Sequence, residues 1–405
     1  MRILISTGEV SGDVAGALVA DEIGRRFPEA RLFGLGGRRL AEAGVEILRE
    51  TNHLGSVGLT ETFGAIPAFA GAFRSILAEV RRSRPRAALL VGNDLFNCLL
   101  SRRLRRAGVR TFVWFPPQVW LWRSQAKPIA RSYDRILTSF PEEHEVYTRA
   151  GGATRFVGHY LRDLLATATD DAKRAARAAF GLEPDGGPVI AVLPGSRTVE
   201  IRELGPVLFA AAARLAKREP RPRFLVPAAE PGYVETIRAQ IAASGLAGAE
   251  LVLGRGREAL AAADVALMAS GTASLEAALL GTPMVLTYRL SRVTDASVRF
   301  LRRIGWIEDE MVGLPNLLLG RRAVPELRQE RATAEELAAA TAELLDQPAR
   351  RAAMRDDLAR IALRLAGEAG GAVAAVAEAV SNGALEGAAA AEVDVAGGAP
   401  RWAAS

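Results

Sequence analysis

The sequence predicts an α/β protein built from two doubly wound parallel sheets in tandem. Three observations predict it. Short apolar, β-rich runs alternate with longer Ala/Arg/Leu-rich runs of 3.6-residue periodicity, the order that makes parallel sheets flanked by helices. The alternation breaks once, at the turn-rich Glu183-Pro-Asp-Gly-Gly-Pro188, and then restarts. A length of 405 residues is that of two or three domains with large cores.

Residues 2–7, 31–35, 87–91, 111–115 and 135–139 read as buried strands of the first sheet. Runs such as Arg2-Ile-Leu-Ile-Ser-Thr7 are apolar without alternation, as expected of strands covered by helices on both faces. After Asp170 a helical stretch leads to the turn-rich break, and residues 189–193, 223–226, 251–253, 265–268 and 284–288 read as the second set of strands. Open α/β sheets bind ligands outside the carboxyl ends of their strands, so the cleft between two such domains is the expected site. Residues 333–380 are helical in pattern, whereas 381–405, rich in Gly and Ala without apolar periodicity, read as a disordered tail. The expected organisation is a domain over 1–170, a second over 171–350, a helical segment over 351–380 and the tail.

With 49% hydrophobic and 24% charged residues the chain is neither disordered nor fibrous. A single cysteine, Cys98, excludes an internal disulfide and a Cys-rich zinc site, and fits a reducing compartment. The N-terminus shows no signal peptide, and no apolar run reaches the roughly 18 residues of a spanning helix. Residues 1–165 hold 24 Lys and Arg against 16 Asp and Glu, with clusters at Arg81-Arg82-Ser83-Arg84-Pro85-Arg86 and at Arg102, Arg103, Arg105 and Arg106. Such clusters suit an anionic membrane surface, a phosphorylated substrate or a solvated helix face. No motif supports nucleic acid. Phe63 to Phe73 is an uncharged, largely apolar stretch of the length of a core helix or of a segment lying in a membrane interface.

Several motifs fall at strand ends. Gly8-Glu-Val-Ser-Gly-Asp13 follows the first strand: it is either a plain strand-to-helix turn capped by Ser11 or Asp13, or a loop whose N–H groups bind an anion or a sugar hydroxyl. Gly34-Leu-Gly-Gly37 repeats the arrangement without completing a dinucleotide fingerprint, and no P-loop sequence occurs. Leu193-Pro-Gly-Ser-Arg197 offers a Gly-Ser turn and a forked guanidinium, a combination suited to a diphosphate. Ser270-Gly-Thr-Ala-Ser-Leu-Glu276 opens a helix that can face phosphate, with Glu276 placed to accept from ribose hydroxyls. Both point to a nucleotide diphosphate, with helix capping as the alternative for each.

These strings, together with Pro117-Gln-Val-Trp-Leu-Trp122, Phe140-Pro-Glu-Glu143, Phe156-Val-Gly-His159, Gly256-Arg-Glu-Ala259, Pro283-Met-Val-Leu-Thr-Tyr288 and Gly313-Leu-Pro-Asn316, occur in the order seen in lipid-A-disaccharide synthases. The chain resembles that family from about residue 1 to 380. The resemblance implies a GT-B glycosyltransferase that joins UDP-2,3-diacylglucosamine to 2,3-diacylglucosamine 1-phosphate, giving the β-1,6 disaccharide of lipid A and UDP. It implies no cofactor beyond the UDP-sugar donor. The second domain would bind UDP through Ser196, Arg197, Arg257, Glu258, Ser270, Gly271, Thr272, Glu276 and Asn316. The first would hold the acylated acceptor through the loop of Gly8, Ser11, Gly12 and Asp13, with Phe63, Phe69, Phe73, Trp120 and Trp122, and also Trp114 and Phe115, meeting acyl chains. It further implies a cytoplasmic protein peripheral to the inner face of the inner membrane, and a homodimer with exchanged C-terminal segments. No Asp-x-Asp pair beside a donor strand and no clustered histidines suggest a metal, so the diphosphate would be stabilised by helix N-termini and Arg197.

Departures from the family pattern cluster in the first half. Where the family has Asp-x-Pro-Asp-Phe-Asn, this chain has Gly92-Asn-Asp-Leu-Phe-Asn97, so the family's first aspartate, the usual catalytic base, falls on Gly92 and its proline on Asp94. Val10 and Tyr160 also replace family prolines, Gln118 a serine and Glu142 a phenylalanine. Asp94 is the first candidate for the base and His159, expected to point into the cleft, the second. His53 and His144 have no motif around them and read as surface residues. Another UDP-sugar transferase or epimerase, or a non-catalytic relative that binds the nucleotide sugar, are the competing readings.

Overall fold

The computed structural model describes residues 1–51, 62–92, 94–117, 125–165, 169–184, 186–289 and 311–395; the side chains of 62–67, 94, 95 and 387–395 lie outside that description. The chain forms two compact units, Met1–Asp163 with Leu365–Ser405, and Leu164–Arg364.

The first unit runs β1 (Arg2–Thr7), α1 (Val10–Arg26), β2 (Arg31–Gly36), α2 (Arg38–Glu42), β3 (Glu46–Glu50), α3 (Thr62–Ser83), β4 (Ala87–Val91), α4 (Asp94–Arg106), β5 (Arg110–Trp114), α5 (Ala126–Ala130), β6 (Arg135–Thr138), α6 (Pro141–Arg149), β7 (Thr154–Phe156) and α7 (Tyr160–Leu164), whose last residue starts the second unit. Its seven strands are all parallel, in the order β3-β2-β1-β4-β5-β6-β7. The central strands are buried on both faces, Ile3, Leu4, Ile5, Leu89 and Leu90 completely, each such side chain contributing about 1.5–3 kcal/mol. On one face α4 presents Phe96, Leu100 and Leu104 at four-residue spacing, and α3 presents Ala72, Ile76 and Val80. On the other lie α1 and a C-terminal helix, Ala372–Val395.

That packing bears on two expectations. Phe69 and Phe73, both half-buried, lie against Phe96 with ring centroids 5.6 and 5.7 Å apart, so one side of each ring packs against the core cluster. Trp114 is completely buried and donates from Nε1 to Ser139 Oγ at 3.0 Å, which removes it from the acyl-contact set. Trp120 and Trp122, and the side chain of Phe63, lie outside the described residues.

The second unit runs α8 (Asp170–Ala178), β8 (Val189–Leu193), α9 (Thr198–Leu215), β9 (Arg223–Ala228), α10 (Val234–Ser244), β10 (Ala249–Leu253), α11 (Gly256–Ala262), β11 (Val265–Ala269), α12 (Thr272–Leu279), β12 (Met284–Tyr288), α13 (Leu314–Leu319), β13 (Glu326–Arg328), α14 (Ala334–Asp346) and α15 (Pro348–Arg364). Its parallel strands are ordered β10-β9-β8-β11-β12-β13. A half-buried ionic knot ties α8 to this sheet: Asp264 accepts from Lys173 Nζ at 2.6 Å, Arg177 Nη2 at 2.8 Å and the Val189 N–H at 2.8 Å. Burial pushes the Asp264 carboxyl up, but these partners outweigh it and hold the carboxyl below its usual range.

The chain crosses between the units at 163/164 and 364/365, not at 170 and 350, and α15 belongs to the second unit. The returning segment is fastened to the first unit: the His159 N–H donates to Leu365 O at 3.1 Å, the Ala372 N–H to Asp163 Oδ2 at 2.6 Å, and Arg155 Nε to Glu368 Oε1 at 2.7 Å. Residues 381–395, expected to be disordered, continue the C-terminal helix. Alanine supplies the helix propensity there, while Val376, Val380 and Ala384 are buried along one side.

Candidate functional site

Each sheet reverses its winding once, between β1 and β4 in the first unit and between β8 and β11 in the second. Within each unit separately, the loops leaving those two strands diverge at the strands' carboxyl ends, the usual ligand position of such a sheet. The strongest sequence motifs sit at these edges, two in each unit: GEVSGD after β1 and the Gly92 loop after β4 in the first, LPGSR after β8 and SGTASLE after β11 in the second.

In the second unit, Ser196 and Arg197 are exposed at the start of α9. Gly195, at φ +122°, brings the turn so close that a Cβ on it would lie 2.5 Å from Glu200 Cβ. Glu200 therefore folds back over the turn, and its Oε2 accepts from the N–H groups of Ser196 at 2.9 Å and Arg197 at 3.3 Å while Oε1 meets Arg197 Nη1 at 3.3 Å. Those backbone donors, expected for the diphosphate, are thus used by a carboxylate. The half-exposed Arg197 side chain still carries the positive charge of this loop. Sequence reasoning missed Glu200, although an acidic residue at the third position of a helix is a recognisable capping signal. Tyr288, at the end of β12, is also part of this cluster: burial pushes its hydroxyl up, Glu200 adds to the rise, and Arg197 opposes it.

Beside that loop, α12 has Gly271 as its N-cap and no side-chain cap, so the positive end of its dipole is not offset by a capping carboxylate there. Gly271 and Thr272 are exposed and Ser270 is buried. Glu276 Oε1 accepts from Arg257 Nε at 2.9 Å, which fixes the carboxylate on its helix. Glu258 is exposed, its nearest cation Arg255 at 4.0 Å.

Asn316 is not part of this group. It is completely buried, donates to Val324 O at 2.9 Å and Glu326 Oε2 at 3.2 Å, and accepts from the Val324 N–H at 2.9 Å. Glu326 in turn accepts from the Val312 and Gly313 N–H groups at 2.9 and 3.2 Å. The pair braces the GLPN turn against β13, so the structure gives Asn316 a bracing role where a donor contact was expected.

In the first unit Gly8 and Gly12 are buried and Ser11 is half-buried in the first turn of α1. Asp13 does not cap its own helix. Its buried carboxylate accepts from the Gly37 N–H at 2.7 Å and the Arg39 N–H at 3.0 Å, capping α2 and tying the GEVSGD and GLGG loops together. Asn97 braces the other loop, accepting from Ser6 Oγ at 3.2 Å and donating to Gly92 O at 2.5 Å.

His159 is buried among rings, its centroid 5.1 Å from Phe115, 5.4 Å from Phe140 and 5.1 Å from Tyr160, and Nδ1 accepts from the Leu161 N–H at 3.2 Å. Burial pushes its pKa down to about 3, so the imidazole is neutral and weakly basic near pH 7. It packs the start of α7 beside Tyr160 and makes a poor general base. Asp94 is the first residue of α4, and its side chain lies outside the described residues. The departures acquire a common explanation: Val10, Asp94 and Tyr160, which replace family prolines, each begin a helix. Proline is favoured at that position because the missing N–H has no partner there, so other residues replace it at little cost. Among the described residues no group of three or more His, Cys, Asp or Glu is placed to hold a metal.

Comparison with known proteins settles the family. A family model described as lipid-A-disaccharide synthetase matches residues 3–374. The chain belongs to the lipid-A-disaccharide synthase family. The synthase of Neisseria meningitidis serogroup A is 38% identical over 358 residues, 88% of this chain and 91% of that protein. Among solved structures, the UDP-GlcNAc 2-epimerase of N. meningitidis bound to UDP-GlcNAc superposes with a TM-score of 0.62 at 12% identity, covering 95% of this chain and all of the other. MurG of Acinetobacter baumannii gives 0.56 at 15% identity, covering 94% and 99%. These likenesses show that this lipid-A-disaccharide synthase family member has the GT-B fold.

Proposed function

We propose that the protein transfers 2,3-diacylglucosamine from UDP to 2,3-diacylglucosamine 1-phosphate, forming the β-1,6 disaccharide of lipid A. The family match over residues 3–374, spanning both units, carries this reading. In the transfer the acceptor 6-hydroxyl oxygen bonds to the donor's anomeric carbon, the bond from that carbon to the diphosphate oxygen breaks, and UDP leaves with the electron pair. The hydroxyl proton passes to a base. Arg197 and the uncapped start of α12 supply the positive potential that the departing diphosphate requires, and Glu276, fixed by Arg257, takes the ribose hydroxyls. Asp94 is the proposed base, since it opens α4 directly after the β4 loop at the first unit's crevice and His159 is buried. Because both substrates are acylated, we place the protein peripherally on the cytoplasmic face of the inner membrane; no described helix is long and apolar enough to cross a membrane.

Mass spectrometry after incubation with UDP-diacylglucosamine and the acylated sugar phosphate should show the disaccharide and UDP, and absence of product with every acylated acceptor would overturn the reading. Arg197→Ala should weaken UDP binding by roughly 1.5–3 kcal/mol through loss of a charge-assisted contact. Unchanged affinity in both Arg197→Ala and Glu276→Ala, with the fold intact, would remove the donor-site assignment.

A further inference from the structure

The C-terminal two turns of α4 and the first residue of β5 carry a feature that sugar transfer does not use. Arg102, Arg105, Arg106 and Arg110, with Gly108, Val109 and Asp134, line a cavity of about 480 Å³. In a parallel sheet all strands share one direction, so strand starts and strand ends lie at opposite edges. Helix α4 begins at Asp94 on the strand-end edge, where the candidate site lies, and finishes at Arg106 a rise of about 18 Å away, at 1.5 Å per residue. The cavity therefore belongs to the edge of the first sheet opposite its ligand crevice.

Its charge exceeds what the fold consumes. A helix C-terminus carries about half a negative charge and favours one cation, and here the closing N–H groups of Gly108 and Val109 already meet Arg105 O and Leu104 O, both at 3.0 Å. Arg105 pairs with Asp134 at 2.9 Å and donates to Arg131 O at 2.6 Å, and Arg110 pairs with Glu386. Arg102 reaches only Ser132 Oγ, at 3.3 Å, and neither Arg102 nor Arg106 has a carboxylate partner among the described residues. Two carboxylates against four guanidinium groups leave two positive charges in excess around one hollow. Guanidinium forks match phosphate oxygens in pairs, and the volume lies in the range of small-ligand pockets. We infer that this pocket is a second anion site, one that takes a phosphate or diphosphate group of a soluble ligand or of a phospholipid headgroup.

Titration calorimetry of the full chain with inorganic pyrophosphate tests it. In Arg102→Gln with Arg106→Gln the affinity should fall roughly tenfold to a hundredfold, as expected for losing charged contacts, with an unchanged thermal midpoint, and binding should persist in Arg197→Ala. Should the double variant fail to fold, Arg106→Gln alone gives the same reading. Sedimentation with phosphatidylglycerol vesicles separates the sources: a loss in the arginine variants assigns the site to a headgroup, and unchanged sedimentation assigns it to a soluble anion. Pyrophosphate binding that disappears in Arg197→Ala and survives the arginine variants belongs to the donor site and overturns the inference. So does the absence of any effect of those variants in both assays.

Discussion

Returning the family's carboxylate to position 92 tests whether the loop after β4 houses the base. Gly92 has φ +58°, and a Cβ built there meets nothing within 4 Å, so the cost of a side chain is that of the left-handed backbone alone. That cost is about 1–2 kcal/mol for an L-residue, nearer the lower figure for aspartate, which visits this region more readily. The contacts holding the turn are made by backbone groups, the Gly92 N–H to Trp114 O at 3.0 Å and Gly92 O from Asn97 Nδ2 at 2.5 Å, and both survive the substitution. Gly92→Asp should therefore fold, with a thermal midpoint lower by about 2–4 °C per kcal/mol for a unit of this size. Asp94→Asn should reduce turnover by roughly 10²- to 10⁴-fold with UDP affinity unchanged. Adding Gly92→Asp to Asp94→Asn should recover at least about tenfold, or 1.4 kcal/mol of transition-state stabilisation, in initial rates at saturating donor. If Asp94→Asn keeps the wild-type rate, or if the double variant folds and binds UDP yet recovers nothing, the base lies elsewhere.

Three further outcomes are expected. His159 has a folded pKa of about 3 against about 6.5 unfolded, so its contribution is complete above pH 6.5 and is lost as pH falls towards 3; denaturant titrations should show wild type losing about 2 kcal/mol more than His159→Gln between pH 7 and pH 5, and equal losses would contradict the burial argument. Asn316→Ala strands the Val324 N–H and carbonyl and one contact of Glu326, so unfolding free energy should drop by about 2–5 kcal/mol, and a drop below about 1 kcal/mol would mean that the turn is not braced this way. Phe69→Glu with Phe73→Glu should lower the thermal midpoint by placing charge against Phe96; a variant that melts like wild type but no longer sediments with vesicles would assign these rings to the membrane surface.

Periodicity and turn chemistry make the central architecture legible in the amino-acid sequence itself. The strands around Ile3 to Ile5, Leu89 to Val91 and Val265 to Met268 are continuous apolar runs because helices cover both their faces, and the glycine turns that follow them mark the ligand edge. The short edge strands β3, β7 and β13 escape such a reading because pairing with a neighbour holds them, and pairing leaves little apolar pattern in sequences such as Glu46-Ile-Leu-Arg-Glu50. The helix over 381–395 is equally hidden, since alanine favours a helix without writing a hydrophobic stripe, and contact with α1, β4 and β5 decides the outcome. Within the motifs, a polar residue that touches ligand and one that braces a loop look alike in sequence. Arg197 stays half exposed, whereas Asp13, Asn97, His159 and Asn316 are buried, Asp13 meeting partners 24 and 26 residues away and Asn97 one 91 residues away. Residue type and spacing determine local turns and strands; whether a side chain faces solvent or a distant backbone N–H depends on which segments the fold brings together, and only the tertiary structure decides that.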